Sequence, residues 1–388
     1  MTKFNILFFS SGRSDYELIK PIINELKRND NFNSYLILTG SHLSKMHGQT
    51  FKNVDQKLTK KLFKIDIKCD HLDFDNFNSS FILAQKKFKE FFKKKKFNLA
   101  VILGDRYEAL AFGLSCFFEG IKIAHIHGGE ITEGSIDDTI RHLITKLSNI
   151  HYVTNLEHQR RVIQLGENPK RVINVGLLGY ENISKMKFID KKDVLKKLKI
   201  NQQKKNILVS YHPVTKLSKK ENIYQFNQLL IALKSFSSFN IIFTSPNIDP
   251  GNRDITQKIK KFLKKNENSY FFYSLGQKYF FSLAKSSEFF IGNSSSGILE
   301  IPFLEIPVIN IGMRQKNRYN FLKIFHVEPN SKKIIKKIKE IIKKNKREII
   351  NIKKINTSKK ISLSIINYLQ NSKNIEQKIF YDLKSNLK

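Results

Sequence analysis

The sequence predicts an α/β protein with two doubly wound, Rossmann-like domains, and three observations lead to this fold class. The chain has 388 residues, of which 40% are hydrophobic, so two domains of ordinary size can each bury a core. Short apolar runs, typical of buried parallel strands, alternate with amphipathic helices. The alternation starts afresh near residue 206. We therefore expect a first domain over residues 1–180, a second over 181–365 and a helical tail over 366–388.

The expected elements follow from hydrophobic periodicity and from the turns that contain glycine, proline and serine. In the first domain they are strands over 4–9, 35–38, 99–103, 122–126, 151–154 and 171–175, and helices over 17–28, 81–92, 109–118 and 157–165. A basic helix over 185–200 is expected to connect the domains. In the second domain they are strands over 206–210, 240–244, 270–273, 288–291 and 308–311, and helices over 224–236 and 279–284.

Charged residues follow several strands of the first domain, at the sheet edge where doubly wound folds bind ligands. Arg13 follows the first strand and can donate two parallel hydrogen bonds to a phosphate or a carboxylate. Asp105 and Arg106 follow the third strand, and an acid beside a base is costly to bury without use. The alternative is an N-cap beside a surface arginine. His42 follows the second strand and has an equally good interpretation as a structural histidine. No Gly-x-Gly-x-x-Gly motif is present, so a dinucleotide cofactor is not supported.

The segment over residues 125–142 brings three histidines, four carboxylates and one arginine together. Histidines beside carboxylates suit proton transfer near neutral pH. The members are His125, His127, Glu130, Glu133, Asp137, Asp138, Arg141 and His142. A metal site is the alternative, since His125 and His127 lie on one face of a strand. No third ligand is suitably spaced, and we expect no metal.

A serine-rich turn, Gly292–Glu300, connects a short apolar strand to a helix in the second domain. Small residues let a ligand approach the backbone, free N–H groups at a helix start attract anions, and the serine hydroxyls add donors. Glu300 is placed to hold a ribose diol, so the turn predicts a nucleotide site; an ordinary capped turn is the alternative. Because the polar loops of the two domains face one another, we expect the ligand in the cleft between the domains.

Composition bears on partners and location. The net charge of +35 suggests nucleic acid or an anionic membrane as one interpretation. However, Lys, Asn, Ile and Phe share AT-rich codons, and the lysines lie at helix-surface spacing with few aromatic residues among them, so we expect no nucleic-acid partner. The apolar run at 4–9 is too short to span a bilayer, and we expect no membrane insertion. Two cysteines provide neither a disulfide framework nor a metal cluster, which fits a cytoplasmic protein.

Seven motifs, taken in order, make the sequence resemble the hydrolysing UDP-N-acetylglucosamine 2-epimerases of sialic- and legionaminic-acid-type biosynthesis. They are Ser-Gly-Arg-Ser-Asp-Tyr, Gly-Asp-Arg-Tyr-Glu-Ala-Leu, His-Ile-His-Gly-Gly-Glu, Ile-Asp-Asp-Thr-Ile-Arg-His, Tyr-His-Pro-Val-Thr, Ser-Pro-Asn-Ile-Asp-Pro-Gly and Gly-Asn-Ser-Ser-Ser-Gly. The match runs from about Phe4 to Arg318. The resemblance implies a glycosyltransferase-B fold, a nucleotide held mainly by the second domain, no cofactor, and a dimer or tetramer of identical chains.

The resemblance also implies a reaction. The hydrogen on C2 of the sugar is removed as UDP leaves C1, and water adds to the resulting glycal to release free N-acetylmannosamine. By motif position, it implies nucleotide contacts at Arg13, Arg106, His212, Asn247, Ser294, Ser295, Glu300 and Arg314. It implies acid–base groups at Asp105 and Asp137, and residues around the sugar at Glu130, His42 and Arg141, with Glu130 also a catalytic candidate.

The chain departs from the family pattern at His127, where some relatives carry glutamate. A neutral imidazole accepts a proton but has no charge to stabilise a cationic transition state, so Asp105, His127 and Asp137 all remain candidates for the C2 base. The departure also leaves open a UDP- or GDP-linked 2,4-diacetamido-6-deoxy hexose as substrate. The alternative functions are a non-hydrolysing 2-epimerase, a glycosyltransferase of the same fold, and a basic binding protein that has lost catalysis.

Overall fold

Two parallel β-sheets, each covered by helices on both faces, form the frame of the protein. The computed structural model describes residues 3–45, 48–69, 77–344, 355–371 and 377–383. The strands are β1 Phe4–Ser10, β2 Phe32–Leu38, β3 Lys61–Lys64, β4 Leu99–Leu103, β5 Lys122–Ile126, β6 Ile150–Val153, β7 Val172–Asn174, β8 Lys205–Ser210, β9 Phe239–Thr244, β10 Ser269–Phe272, β11 Phe289–Gly292, β12 Val308–Ile311 and β13 Phe325–Val327. The helices are α1 Arg13–Leu26, α2 Phe77–Phe92, α3 Tyr107–Phe118, α4 Asp137–Leu147, α5 Leu156–Gln164, α6 Leu178–Ser184, α7 Lys191–Lys197, α8 Lys219–Lys234, α9 Asn252–Leu263, α10 Gly276–Lys285, α11 Ser296–Leu299, α12 Ser331–Lys344 and α13 Thr357–Gln370.

The strand order places the ligand-binding edge of each sheet. The first sheet runs β3-β2-β1-β4-β5-β6-β7 and the second β10-β9-β8-β11-β12-β13, with every pair of neighbours in the described ranges parallel. The order reverses between β1 and β4 in the first sheet and between β8 and β11 in the second. Ligands of doubly wound folds bind outside the carboxyl ends of the strands at such reversals. The predicted pair of Rossmann-like α/β sheets is confirmed.

Alternating side chains of the central strands supply the two faces of each sheet. In β1, Ile6 and Phe8 belong to a buried cluster with α1, whereas Leu7 and Phe9 belong to a cluster with α2 and α3. Because both faces are covered, nearly every position of the strand is apolar rather than every second one. This explains why the sequence shows continuous apolar runs.

Several elements differ from the sequence expectation, and α6, α9 and β13 were not expected at all. Of the expected connecting helix over 185–200, only α7, Lys191–Lys197, is helical, and a non-helical segment separates it from α6, which ends at Ser184. In this segment Phe188 and Ile189 pack against the second domain's apolar cluster, which a straight surface helix would not allow. Strand β3 was not expected, because it lies at the edge of its sheet and its basic sequence, Lys-Leu-Phe-Lys, leaves both lysines exposed.

The end of the chain returns to the first sheet. Helix α13 packs against α1, and its Ile361, Ile365 and Leu369, spaced four apart, join the cluster that contains Ile19 and Ile22. Residues 357–365, expected in the second domain, therefore pack on the first. Beyond α13, residues 377–383 are not helical, whereas 372–376 and 384–388 of the expected tail lie outside the described ranges. None of the helices over the described residues combines the length and hydrophobicity that crossing a bilayer requires.

Gly292, the last residue of β11, has no room for a side chain. Its φ is 148°, and a Cβ there would lie 1.9 Å from the carbonyl oxygen of Ser210 in the neighbouring strand β8. We expect Gly292→Ala to lower the free energy of unfolding by about 1–3 kcal/mol, because backbone must move to make room. The control is Gly113→Ala in α3, where the nearest atom would be 3.4 Å away. Urea unfolding of both variants measures this, and equal stabilities would contradict it.

Candidate functional site

The carboxyl edges of the two sheets face each other across a cavity of about 330 Å³. Eleven of the fourteen residues singled out from the sequence line it: Arg13, Asp105, Arg106, Asp137, Arg141, His212, Asn247, Ser294, Ser295, Glu300 and Arg314. Most come from loops that follow a strand or from the first residue of a helix. Their assignments to nucleotide, sugar or proton transfer stay predictions, but one site contains them all.

Asp105 and Arg141 form an ion pair on the first-domain side of the cavity, in which Arg141 is buried and Asp105 is partly exposed. Arg141 Nε donates to Asp105 Oδ2 at 2.9 Å, and Nη2 donates to the same oxygen. Arg141 is 1% exposed and also donates to the carbonyl of Glu130 at 2.8 Å and to the hydroxyl of Thr132 at 3.0 Å. Burial alone would raise the pKa of Asp105, but Arg141 and then Arg318 outweigh it and lower that pKa. Asp105 is therefore held as a carboxylate.

Asp137 lies on the same side, in the first turn of α4, with the opposite shift. Burial, followed by the negative charges of Asp105 and Asp249, raises its pKa to about 6. The hydroxyl of Ser135 donates to Asp137 Oδ2 at 2.7 Å and fixes the orientation of the carboxyl group. A carboxyl with a pKa about one unit below neutral can both take up and release a proton during a reaction.

Arginines from both domains give the cavity its positive charge. Arg106 of the first domain lies 3.2 Å from Glu108 and 3.3 Å from Asp249 of the second domain. Burial would lower its pKa, but Glu108 and Asp249 outweigh burial and raise it well above the usual value. Arg314 of the second domain donates to the carbonyl of Pro213 at 3.2 Å, which fixes its guanidinium at the cavity wall.

His212 lines the cavity as a neutral imidazole. Burial and then the charge of Arg314 lower its pKa well below the usual value. Its Nδ1 accepts a hydrogen bond from the backbone N–H of Asn247 at 2.9 Å. The ring proton must therefore be on Nε2, which makes His212 a neutral hydrogen-bond donor.

The serine-rich turn adopts a compact conformation around Glu300. Ser294 and Ser295 precede the single turn of α11, and all three serines of the turn line the cavity. The side chain of Glu300 lies against Gly179 of α6, where a Cβ would be 2.8 Å from Glu300 Cγ. Burial raises the pKa of the Glu300 carboxyl. The segment between the domains thus helps to place Glu300 at the predicted ribose site.

The family model described as UDP-N-acetylglucosamine 2-epimerase matches residues 24–369. The chain belongs to the UDP-N-acetylglucosamine 2-epimerase family. The GDP/UDP-N,N'-diacetylbacillosamine 2-epimerase (hydrolyzing) of Campylobacter jejuni is 37% identical over 333 residues, which cover 85% of this chain and 86% of the relative. The polysialic acid biosynthesis protein P7 of Escherichia coli is 32% identical over 335 residues, 86% of this chain and 85% of the relative.

Solved structures agree in fold. The UDP-GlcNAc 2-epimerase of Neisseria meningitidis, bound to UDP-GlcNAc, superimposes with a TM-score of 0.74 at 17% sequence identity, covering 94% of this chain and all of that one. The expected glycosyltransferase-B type of fold is confirmed. The sequence relatives place this epimerase among the hydrolysing members of its family, and none of the alternative functions is favoured.

Three predicted residues of the epimerase do not line the cavity. His42 is buried, with Nε2 2.9 Å from the Ser10 hydroxyl and Nδ1 2.9 Å from the Thr50 hydroxyl, which suits its structural interpretation. His127 has a left-handed φ of 69°, and its Nδ1 lies 3.1 Å from Glu130 Oε1. Glu130 is fully buried. His127 and Glu130 therefore lie behind the cavity wall.

The sequence reasoning missed two residues that pair across the domains. Arg318 lies in the second domain between β12 and β13. It lines the cavity and donates to Glu130 of the first domain, so it connects the two domains. No local pattern marked Arg318. Asp249 lies between Arg106 and Arg314, and an acid in a loop after strand β9 satisfies the same rule that marked Asp105. In the described part of the chain, no three histidine, cysteine or acidic side chains are grouped to hold a metal ion.

The ion pair between Arg141 and Asp105 should contribute to the stability of the folded protein. We expect Arg141→Met to cost about 3–5 kcal/mol of unfolding free energy, because it leaves the carboxylate of Asp105 without its buried partner. Arg160→Met, at an exposed position of α5, is the control and should change stability by less than about 0.5 kcal/mol. Denaturant titration followed by circular dichroism compares them. A similar cost for both variants would show that the ion pair adds nothing.

Proposed function

We propose that the epimerase converts a nucleoside-diphosphate-linked 2-acetamido sugar to the free 2-epimer and the nucleoside diphosphate. UDP-N-acetylglucosamine and the related 2,4-diacetamido-6-deoxy sugar are the candidate substrates. The observation that carries the proposal is one cavity with the fixed carboxylate of Asp105 and the titratable carboxyl of Asp137 on one side, and arginine and serine donors on the other. Elimination of a diphosphate beside a C–H bond needs both sets of groups.

The two carboxyl groups suit different steps. Asp137, with a pKa of about 6, is mostly ionised at neutral pH and takes the proton from C2. The C1–O bond breaks with its electron pair leaving on the diphosphate, whose charge Arg106, Arg314 and the Nε2–H of His212 stabilise. Water then adds to the double bond of the glycal, with oxygen on C1 and hydrogen on C2. Asp105, ionised beside Arg141, stabilises positive charge that develops at C1.

The names of the relatives support the 2,4-diacetamido substrate. The relative from Campylobacter jejuni, at 37% identity, and the one from Legionella pneumophila, at 27% over 344 residues, are both named for N,N'-diacetylbacillosamine. The relative named for UDP-N-acetylglucosamine from Neisseria meningitidis is 29% identical over 337 residues. We therefore place UDP- or GDP-linked N,N'-diacetylbacillosamine first and UDP-N-acetylglucosamine second.

Product analysis in deuterated water tests the proposal. NMR spectra of each candidate substrate with the purified protein should show a free 2-epimerised sugar with deuterium at C2, together with released nucleoside diphosphate. A sugar that is epimerised but still linked to the nucleotide would instead show the non-hydrolysing reaction. No turnover of any candidate by folded protein would refute the proposal.

The same assay tests the role of Asp137. We expect Asp137→Asn to lower kcat by about a hundredfold or more, since it removes a proton-transfer group. In the unaltered enzyme, activity should rise with pH through about 6, because ionised Asp137 is the active form. Asp138→Asn, which alters the next residue of α4, is the comparison variant. Equal activity of the Asp137 and Asp138 variants would assign the base elsewhere.

We also propose that the enzyme works in the cytoplasm as a homodimer. Its two cysteines, Cys69 and Cys116, are buried and are not joined by a disulfide, as a reducing compartment allows. Helices α2, α3 and α4 pack side by side and expose large apolar residues, namely Ile82 at 60%, Phe117 at 56%, Phe118 at 77% and Leu143 at 48%. Exposed apolar side chains on neighbouring helices suit contact with a second copy of the chain.

Analytical ultracentrifugation tests the dimer. The protein should sediment as two chains, and Phe118→Ser should shift it toward one chain by removing apolar area from the contact. Ile231→Ser, at a 49% exposed position on α8 of the second domain, is the control and should leave the mass unchanged. A single chain at micromolar concentration, or equal behaviour of both variants, would contradict this arrangement.

A further inference from the structure

One loop of the second domain reaches into the first domain beside the cavity. It follows β9 and runs from Pro246 to Pro250. Ile248 in this loop is 3% exposed and belongs to the same buried apolar cluster as Phe9, Tyr107 and Ile140 of the first domain. A second-domain side chain thus completes a first-domain core and ties the two domains together beside the cavity.

The next residue, Asp249, pairs with an arginine of each domain. Its Oδ1 lies 3.3 Å from Arg106 Nη1, and its Oδ2 lies 3.6 Å from Arg314 Nη2. Asp249 is 7% exposed, and its Oδ2 has no hydrogen-bond partner. A buried carboxylate is costly unless it is paired, so the position of Asp249 depends on both guanidinium groups. Opening the cleft would separate Asp249 from Arg106.

Asp249 also acts on the electrostatics of the proton-transfer group. The charged groups around Asp137 are Asp105 and Asp249, which favour its protonated form, and Arg314 and Arg106, which favour its ionised form. Closure brings Asp249 of the second domain toward Asp137 of the first.

We propose that Ile248 and Asp249 form an interdomain latch, in which Asp249 is a positioning residue that aligns Arg106 and Arg314 for one diphosphate when the cleft is closed. This inference rests on the proposed function for the identity of the diphosphate. Ile248 supplies the apolar part of the latch and Asp249 the charged part. The diphosphate then meets two arginines that the two oxygens of Asp249 already orient, so that fewer bound complexes are misaligned for reaction.

The test compares Asp249→Asn with Asp254→Asn. Asp254 lies five residues further along, pairs with Lys219 at 3.1 Å on the surface of α9, and is the matched control. We expect Asp249→Asn to lower kcat by about ten- to a hundredfold, because alignment is lost, while the Kd for UDP changes less than about threefold. The rising limb of the kcat–pH profile should move to lower pH, since Asp137 loses a negative neighbour. The control should show none of these changes.

Asp249→Glu tests whether the negative charge at position 249 sets the position of the pH limb. It keeps the charge, so it should keep the position of the pH limb even if kcat falls. A profile that moves equally in both Asp249 variants would overturn the electrostatic role. A loss confined to UDP affinity would make Asp249 a simple nucleotide contact and also overturn the proposal.

Small-angle X-ray scattering separates the latch from the substrate question. With saturating UDP, the unaltered protein should have a smaller radius of gyration than Asp249→Asn, and Ile248→Ser should resemble the latter. This readout needs no turnover, so it stands even if every candidate substrate fails. Equal radii for the three proteins would refute the latch.

Discussion

The ion pair between Asp105 and Arg141 is the interaction on which the first-domain side of the cavity depends. Arg141 reaches from α4 to the loop after β4, and it also donates to the carbonyl of Glu130 and the hydroxyl of Thr132. One guanidinium therefore joins three segments that are separate in sequence. Because it is almost fully buried, its charge has little water to compensate it, and the carboxylate must stay ionised. The geometry of the catalytic wall and the charge state of Asp105 are set together.

That fixed charge has a consequence for its neighbour. Asp105 is held ionised by Arg141, and its negative charge then helps to raise the pKa of Asp137 to about 6. Two chemically identical groups in one cleft thus differ in proton affinity because only one of them has an arginine partner. Such a division is typical of sites in which one carboxylate stabilises charge while the other transfers a proton. The chain obtains the division mainly from Arg141, to which Arg318 adds, and no set of metal ligands is grouped among its described residues.

The sequence predicted the fold from its hydrophobic pattern and part of the cavity lining from one local rule, that functional residues follow parallel strands; the family resemblance supplied the rest of the lining. Arg13, Asp105 and His212 obey the rule, because a strand boundary is visible in the hydrophobic pattern and the sheet brings all such boundaries to one edge. The rule gives no side-chain direction. His127 follows β5 as expected, but its left-handed backbone conformation accompanies a ring that lies against Glu130 behind the wall. Arg318 pairs with a residue 188 positions away, and a single sequence contains no trace of such a contact.

The side chains around position 127 explain why a histidine suits this position better than a glutamate. Its Nδ1 lies 3.1 Å from Glu130, whose carboxylate is already paired with Arg318 and whose pKa, despite burial, is held well below the usual value by Arg318 and His127. A glutamate side chain at position 127 would bring a second carboxylate toward Glu130, and the buried pair would need a further cation. An imidazole can accept or donate there without adding negative charge. The wall behind Asp105 and Asp137 thus stays close to neutral. The pKa of Asp137 is set by burial, by the negative charges of Asp105 and Asp249, and by the opposing charges of Arg314 and Arg106.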